Sequence, residues 1–175
     1  MKDLILTPLG LRVANQLFPC VIGKNGVTWL KKEGDGKTPI GRHQIVGMLY
    51  RPDRIAQPRK WALPIRPNDI WSDDVKDSNY NLMGTAPSSF GHERLFRSDN
   101  IYDLVIITNW NWPYVVKGRG SAIFIHSWRK EGKPTEGCVA LRKDNLIKVA
   151  KFIDFGSCLI VPETLHAHQR WPSQL

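Results

Sequence analysis

Cysteine and methionine are scarce in this chain, at three residues each among 175. Three thiols cannot all pair, so a dense disulfide framework is excluded, and a bridge between Cys20 and Cys158 would leave Cys138 over. Both Cys20 and Cys158 lie in apolar, strand-like segments, where a buried thiol is the expectation. No apolar run approaches the roughly 18 residues that mark a membrane span, and none is expected. Repeats and low-complexity segments are absent. The N-terminal stretch Met1 to Pro8 has an early acid and a proline where a secretory apolar region should continue, so no signal peptide is visible. Removal of a leader, export by another route and cytoplasmic residence all stay open. Metal-ligand spacing is missing too: Cys158, His166 and His168 match no structural-zinc pattern, so neither metal nor other cofactor is expected.

Acidic residues are outnumbered, 16 against 25 Lys and Arg, for a net charge of +9. Such a balance draws polyanions. Nucleic acid is not the expected partner, because zinc-finger spacing, a recognition-helix pattern and paired aromatic ribonucleoprotein motifs are all lacking. The length and the 42% hydrophobic fraction suit one domain over 1–175, with a core over about 9–162 and a polar tail at 163–175.

Chemistry concentrates in Ile123-Phe124-Ile125-His126-Ser127 and Pro134-Thr135-Glu136-Gly137-Cys138-Val139-Ala140-Leu141. The apolar run brings His126 to a strand end, and the charged residues 129–133 form a surface loop leading to Cys138. A thiolate attacks carbonyl carbon, so a working cysteine needs an imidazole or a backbone dipole nearby. His126 supplies the base. Gly137 lets the backbone approach the reacting carbonyl, with the amides of Gly137 and Cys138 facing a developing oxyanion. On this reading Cys138 has the lowest pKa of the three thiols and reacts first, helped by Arg119, Arg129, Lys130, Lys133, Arg142 and Lys143 around it.

The rest of the chain reads mostly as strand. Asn25-Gly26 between Pro19–Ile22 and Val27–Leu30 signals a hairpin. Strands are expected at Arg42–Tyr50, Leu104–Thr108, Ser121–Ile125 and Ser157–Val161, and a helix face at Leu146, Ile147, Val149, Ala150 and Ile153 that stops at Gly156. Prolines at 52, 58, 64 and 67 oppose regular structure. The Asn-, Asp- and aromatic-rich stretch from Trp61 to Phe96 is expected to be an irregular excursion that caps a cleft. His43 reads as structural. Most tryptophans and tyrosines read as packing residues, whereas Trp128, two residues beyond His126, is expected at substrate.

These motifs resemble the L,D-transpeptidase catalytic domain of bacterial cell walls (YkuD-type), in which a His, a spacer and Ser/Thr-x-Gly-Cys with a following aliphatic residue form the signature. Here His126, Thr135, Gly137, Cys138 and Val139 fill it. Gly34-Asp35-Gly36-Lys37-Thr38-Pro39-Ile40-Gly41 resembles the segment that precedes the strand feeding the active-site sheet. Trp71-Ser72-Asp73-Asp74, Asn79-Tyr80-Asn81 and Arg97 through Asp103 resemble a proteobacterial branch. The resemblance implies a mainly β fold of two packed mixed sheets with one or two helices. It also implies cysteine acyl transfer on peptidoglycan stem peptides through a thioester, forming cross-links, in a monomer of the periplasm or cell envelope that carbapenem-type β-lactams inhibit.

Catalytic roles fall on Cys138, His126 and Gly137, and substrate contacts on Trp128, Arg142, Ser127 and Tyr80, with Asn109 and His92 as weaker candidates. Many family members have His before the Gly-Cys pair and Arg or Asn two residues after Cys. This chain has Glu136 and Ala140 there, so contacts at those positions do not carry over. Arg142 is either a substitute carboxylate binder or an exposed residue opening the next helix; Ser127 either orients His126 or merely bonds backbone. Three alternatives stay open: an L,D-carboxypeptidase or endopeptidase using the same pair, a transpeptidase joining through L-alanine, and a non-catalytic envelope-binding module.

Overall fold

The computed structural model describes residues 2–166. Among them are fifteen strands, one α-helix and one 3-10 turn. The strands are β1 (Leu4–Thr7), β2 (Gly10–Val13), β3 (Gln16–Phe18), β4 (Cys20–Val21), β5 (Val27–Thr28), β6 (Thr38–Pro39), β7 (Gly41–Tyr50), β8 (Leu63–Pro64), β9 (Asp69–Ser72), β10 (Met83–Thr85), β11 (His92–Arg94), β12 (Leu104–Thr108), β13 (Phe124–Ser127), β14 (Val139–Leu141) and β15 (Cys158–Val161). Helix α1 (Lys143–Phe152) lies between β14 and β15.

The protein is mainly β, with the large sheet in the order β3-β2-β1-β15-β7-β12-β13-β14-β4. Parallel pairs, β1 with β15 and β13 with β14, sit among antiparallel ones, so the sheet is mixed. Strand β7 is the hinge of the fold: Gly41–Gln44 pair with β15, and the ladder to β12 begins at Ile45, with a bulge near its start. The expected pair of packed sheets therefore exists as two halves that share one long strand. Only Pro19 separates β3 from β4, which lie at opposite ends of the path, so the sheet must curl back on itself. Leu4, Leu6 and Leu11 from one half and Ile106, Ile125, Val139 and Leu141 from the other enclose a single core, which Leu146, Val149 and Ala150 of α1 join.

Strand β12 is buried along its whole length because it has two covered faces. Leu104 and Ile106 point into the main core, while Val105 and Ile107 join Leu49, Ile65, Leu95, Ile101, Tyr102 and Phe124 in a second cluster. That period-2 split explains why the segment reads as a continuous apolar run. Each such side chain removed from water contributes about 1.5–3 kcal/mol.

Three local expectations change. The Asn25-Gly26 hairpin does not form: a turn closes from the Gly26 amide to the Gly23 carbonyl, but β4 pairs with β14 and β5 with β6. The turn's polar groups go to distant partners instead, the Asn25 amide to Gly36 O and its side chain to Asp35 O. The 61–96 excursion contains an antiparallel sheet, β10-β9-β11, and backs the second cluster through Ile65, Leu95 and Trp71. The strand expected at 121–125 forms at Phe124–Ser127. No helix among the described residues is long and apolar enough to cross a membrane.

Candidate active site

Strands β13 and β14 run parallel, with Ile125 opposite Val139 and His126 opposite Ala140. Side chains alternate along a strand, so Phe124 and His126 share a face with Ala140 and, one step before β14, with Cys138. Thiol and imidazole are thus diagonal neighbours on one face. Both line a cavity of about 480 Å³ whose wall also includes Lys31, Arg97 and Trp128. The surface loop 128–134 makes the crossover that brings β14 beside β13.

Cys138 is half-buried at the mouth of β14 and packs on the second cluster. Its Sγ donates to the Ala122 carbonyl at 2.9 Å and accepts from the Phe124 amide at 3.4 Å. Burial pushes the thiol up to about 12, and the Glu93 carboxylate pushes the same way. The Phe124 amide and the Lys31 charge pull against them. The low thiol pKa expected from the sequence is therefore overturned, because desolvation of the charged form exceeds the help from nearby donors. Cys20 is pushed up to about 12 by burial as well, so the two are not distinguished by acidity. Cys158 is half-buried rather than buried.

His126 is 8% exposed, and burial pushes its pKa down to about 4. Its Nδ1 lies 2.8 Å from the Ser127 carbonyl oxygen. A carbonyl only accepts, so Nδ1 carries the proton and Nε2 keeps its lone pair. The Tyr102 ring meets the imidazole edge-on with centroids 5.3 Å apart, fixing its tilt. At neutral pH the resting pair is thus a neutral thiol and a neutral imidazole whose basic nitrogen is defined.

Gly137 has φ +150°, and a Cβ there would meet the Lys37 carbonyl at 2.8 Å, so glycine is required. Thr38 Oγ1 donates to Gly137 O at 2.8 Å and receives the Gly23 amide at 3.0 Å, which ties the Gly34–Gly41 segment to the Gly-Cys turn. One expectation shifts: the Gly137 amide donates to Thr135 Oγ1 at 3.1 Å, so it is already engaged and does not face a substrate. Thr135 Oγ1 in turn donates to Cys138 O at 2.6 Å.

Among the expected substrate residues, Trp128 is half-buried and lines the cavity. Ser127 is buried off the cavity wall, and its carbonyl rather than its hydroxyl orients His126. Arg142 is exposed at the start of α1, paired with Asp144 and away from the cavity, which is the helix-opening alternative. Tyr80 is 1% exposed and not on the wall; its hydroxyl donates to Glu33, which is. Ser127, Arg142 and Tyr80 thus lie off the cavity wall, because sequence spacing does not say which side of a loop or strand faces the cleft. His92 and Asn109 do not line the cavity either. His43 is buried, with Nε2 2.9 Å from Pro39 O.

Sequence reasoning missed Lys31, Glu33, Asp73, Glu93, Arg97 and Tyr102 as wall residues. Four of them lie in or beside segments singled out by resemblance, with no role attached. Arg97 is held by a two-pronged pair to Asp99, at 2.8 and 2.7 Å, and Tyr102 donates to Glu93. Asp73 and Glu93 are pushed up, chiefly by burial and also by neighbouring carboxylates. Among the described residues no group of three His, Cys, Asp or Glu is placed to hold a metal, and His168 lies outside them.

Residues 11–161 match the family model of the L,D-transpeptidase catalytic domain, YkuD. The chain belongs to the YkuD family. Solved structures similar to it include L,D-transpeptidase 1 of Mycobacterium tuberculosis, with a TM-score of 0.44 and 13% identity over 92% of this chain. An L,D-transpeptidase from Mycobacterium smegmatis has a TM-score of 0.41 and 13% identity over 91%. In each case the match covers 58% of the mycobacterial chain. No curated protein matches. Within the YkuD signature, Glu136 occupies the position before Gly137 and pairs with Lys24 at the cavity rim.

Proposed function

We propose that this YkuD protein is a peptidoglycan L,D-transpeptidase of the cell envelope that works through Cys138. The observation that carries the reading is the placement of Cys138 and His126 on one face of adjacent parallel strands, lining one cavity. Because the resting pair is neutral, the proton moves as the bond forms. Sγ attacks the carbonyl carbon of an L-to-D peptide bond while His126 Nε2 takes the thiol proton, and the Cys138 amide donates to the oxygen that becomes anionic. The carbon–nitrogen bond then breaks, the proton returns from Nε2 to the leaving amine, and a thioester remains. The side-chain amine of a second stem attacks that thioester, giving a cross-link and free thiol. A half-buried sulfur limits the water available to compete.

Incubation with purified muropeptides, followed by mass spectrometry, tests this. Cross-linked dimers that vanish in Cys138→Ala are the expected result. Trimmed monomers without dimers would instead assign a hydrolase, dimers joined through L-alanine a different donor, and unchanged muropeptides a binding module. A carbapenem should add once, at Cys138.

A further inference from the structure

The Gly137 amide, engaged by Thr135 Oγ1, leaves the proposed reaction with one backbone donor where the developing oxyanion needs more than one. A second candidate stands on the same wall. The Lys31 side chain is 3% exposed, which is rare for a lysine. Its stem passes beside two glycines, with Cε 3.1 Å from the position a Cβ would take at Gly120 and 3.6 Å from that at Gly137. Both glycines have positive φ, and a Cβ at Gly120 would crowd the lysine stem while one at Gly137 would touch it at ordinary contact distance. At its end Nζ donates to Asp35 and, at 2.9 Å, to Lys32 O. An ammonium has three N–H groups, so one is left after these two. A buried ammonium, paired with Asp35 but with one N–H left over, lines the cavity beside the Gly-Cys turn and has a donor to offer an anionic oxygen.

We propose that Lys31 is a catalytic residue that donates its third N–H to the oxyanion formed when Cys138 attacks. As the S–C bond forms and the carbonyl π pair moves onto oxygen, that oxygen accepts from the Cys138 amide and from Lys31 Nζ. The π bond re-forms when the amine leaves, and Lys31 keeps its proton throughout. Asp35 holds the ammonium in place; the Asp35 carboxylate also accepts from the Lys32 and Lys37 amides, so the 31–37 loop is built around it. The charge of Lys31 also favours the Cys138 thiolate, which gives a second, weaker effect on the same sulfur.

This assignment rests on the acyl-transfer reading above. Two reactions of the same thiol separate them: acylation by a carbapenem passes through an oxyanion, and alkylation by iodoacetamide does not. In Lys31→Met the acylation rate at Cys138 should fall by roughly 100- to 1,000-fold, the loss seen when one oxyanion donor is removed. Alkylation in alkaline buffer should fall by less than about tenfold, reflecting only the lost pull on the thiolate. Acylation unchanged in Lys31→Met, or an equal fall in both reactions, overturns the proposal while leaving acyl transfer intact. Absence of any Cys138 adduct in the wild-type protein overturns the acyl-transfer reading and this one together. Should Lys31→Met fail to fold because Asp35 is stranded, Lys31→Met/Asp35→Asn removes both charges and is held to the same rates.

Discussion

The cavity has two unlike walls. One is built on β13 and β14, where every strand residue is buried and Cys138 and His126 are placed by ladder register. The other comes from the 31–37 loop and the 69–97 region, and carries Lys31, Glu33, Asp73, Glu93 and Arg97. On the strand wall, identity and position follow from a two-residue period and a short motif. On the loop wall they follow from long-range hydrogen bonds, such as Tyr80 to Glu33 across 47 residues. The proposed reaction chemistry sits on the strand wall, and most of the charged groups sit on the other.

Breaking the strand wall should give the largest effects. Cys138→Ala should reduce cross-linking to background and leave the melting temperature nearly unchanged, since one half-buried thiol contributes little packing. His126→Asn should lower the rate roughly 100- to 10,000-fold, the range for loss of a positioned general base. A fall below about tenfold in single-turnover acylation would mean that another group takes the proton.

A second test uses the depressed pKa of His126. The folded protein holds the imidazole neutral down to about pH 4, whereas the unfolded chain protonates it near its ordinary value of about 6.5. Between those values the unfolded state binds more protons, so stability rises with pH and is lost as pH falls through the window. The loss should amount to roughly 3 kcal/mol by about pH 4. Chemical denaturation of wild type and His126→Gln at about pH 7 and pH 4.5 checks it: the acid-induced drop should be smaller in the variant. Equal drops would show that other groups, His43 among them, carry the effect, because burial pushes His43 down too.

The smallest effect belongs to a residue on neither wall. Arg142→Ala should change kcat/KM by less than about twofold, because an exposed pair with Asp144 is worth little. A large rise in KM would return Arg142 to the substrate.

Legibility follows the same division. Leu104–Thr108 and the β15 strand could be read from apolar runs because each is buried by its own pattern, and His126 and Cys138 because their spacing is short. The Asn25-Gly26 turn was legible as a turn but not as a non-hairpin, since the partners that claim its backbone lie ten or more residues away. Counting charge misjudges the acidity of Cys138: of six basic residues close to it in sequence or expected around it, only Arg129 and Lys133 line the cavity, and the desolvation that raises the thiol exists only once Cys138 packs against the second cluster.

The curled sheet also sets an order of events during synthesis. Strand β1 emerges first yet pairs with β15, and the Cys158 amide reaches back across 155 residues to Asp3. Strand β4 likewise waits for β14, the strand that Cys138 introduces. Strand β1 has β2 beside it early, but neither the β1–β15 nor the β4–β14 ladder can form until its later strand has left the ribosome, and such distant pairings close slowly. Until β14 is made, β4 lacks its partner and the face of β13 that carries His126 lacks Cys138.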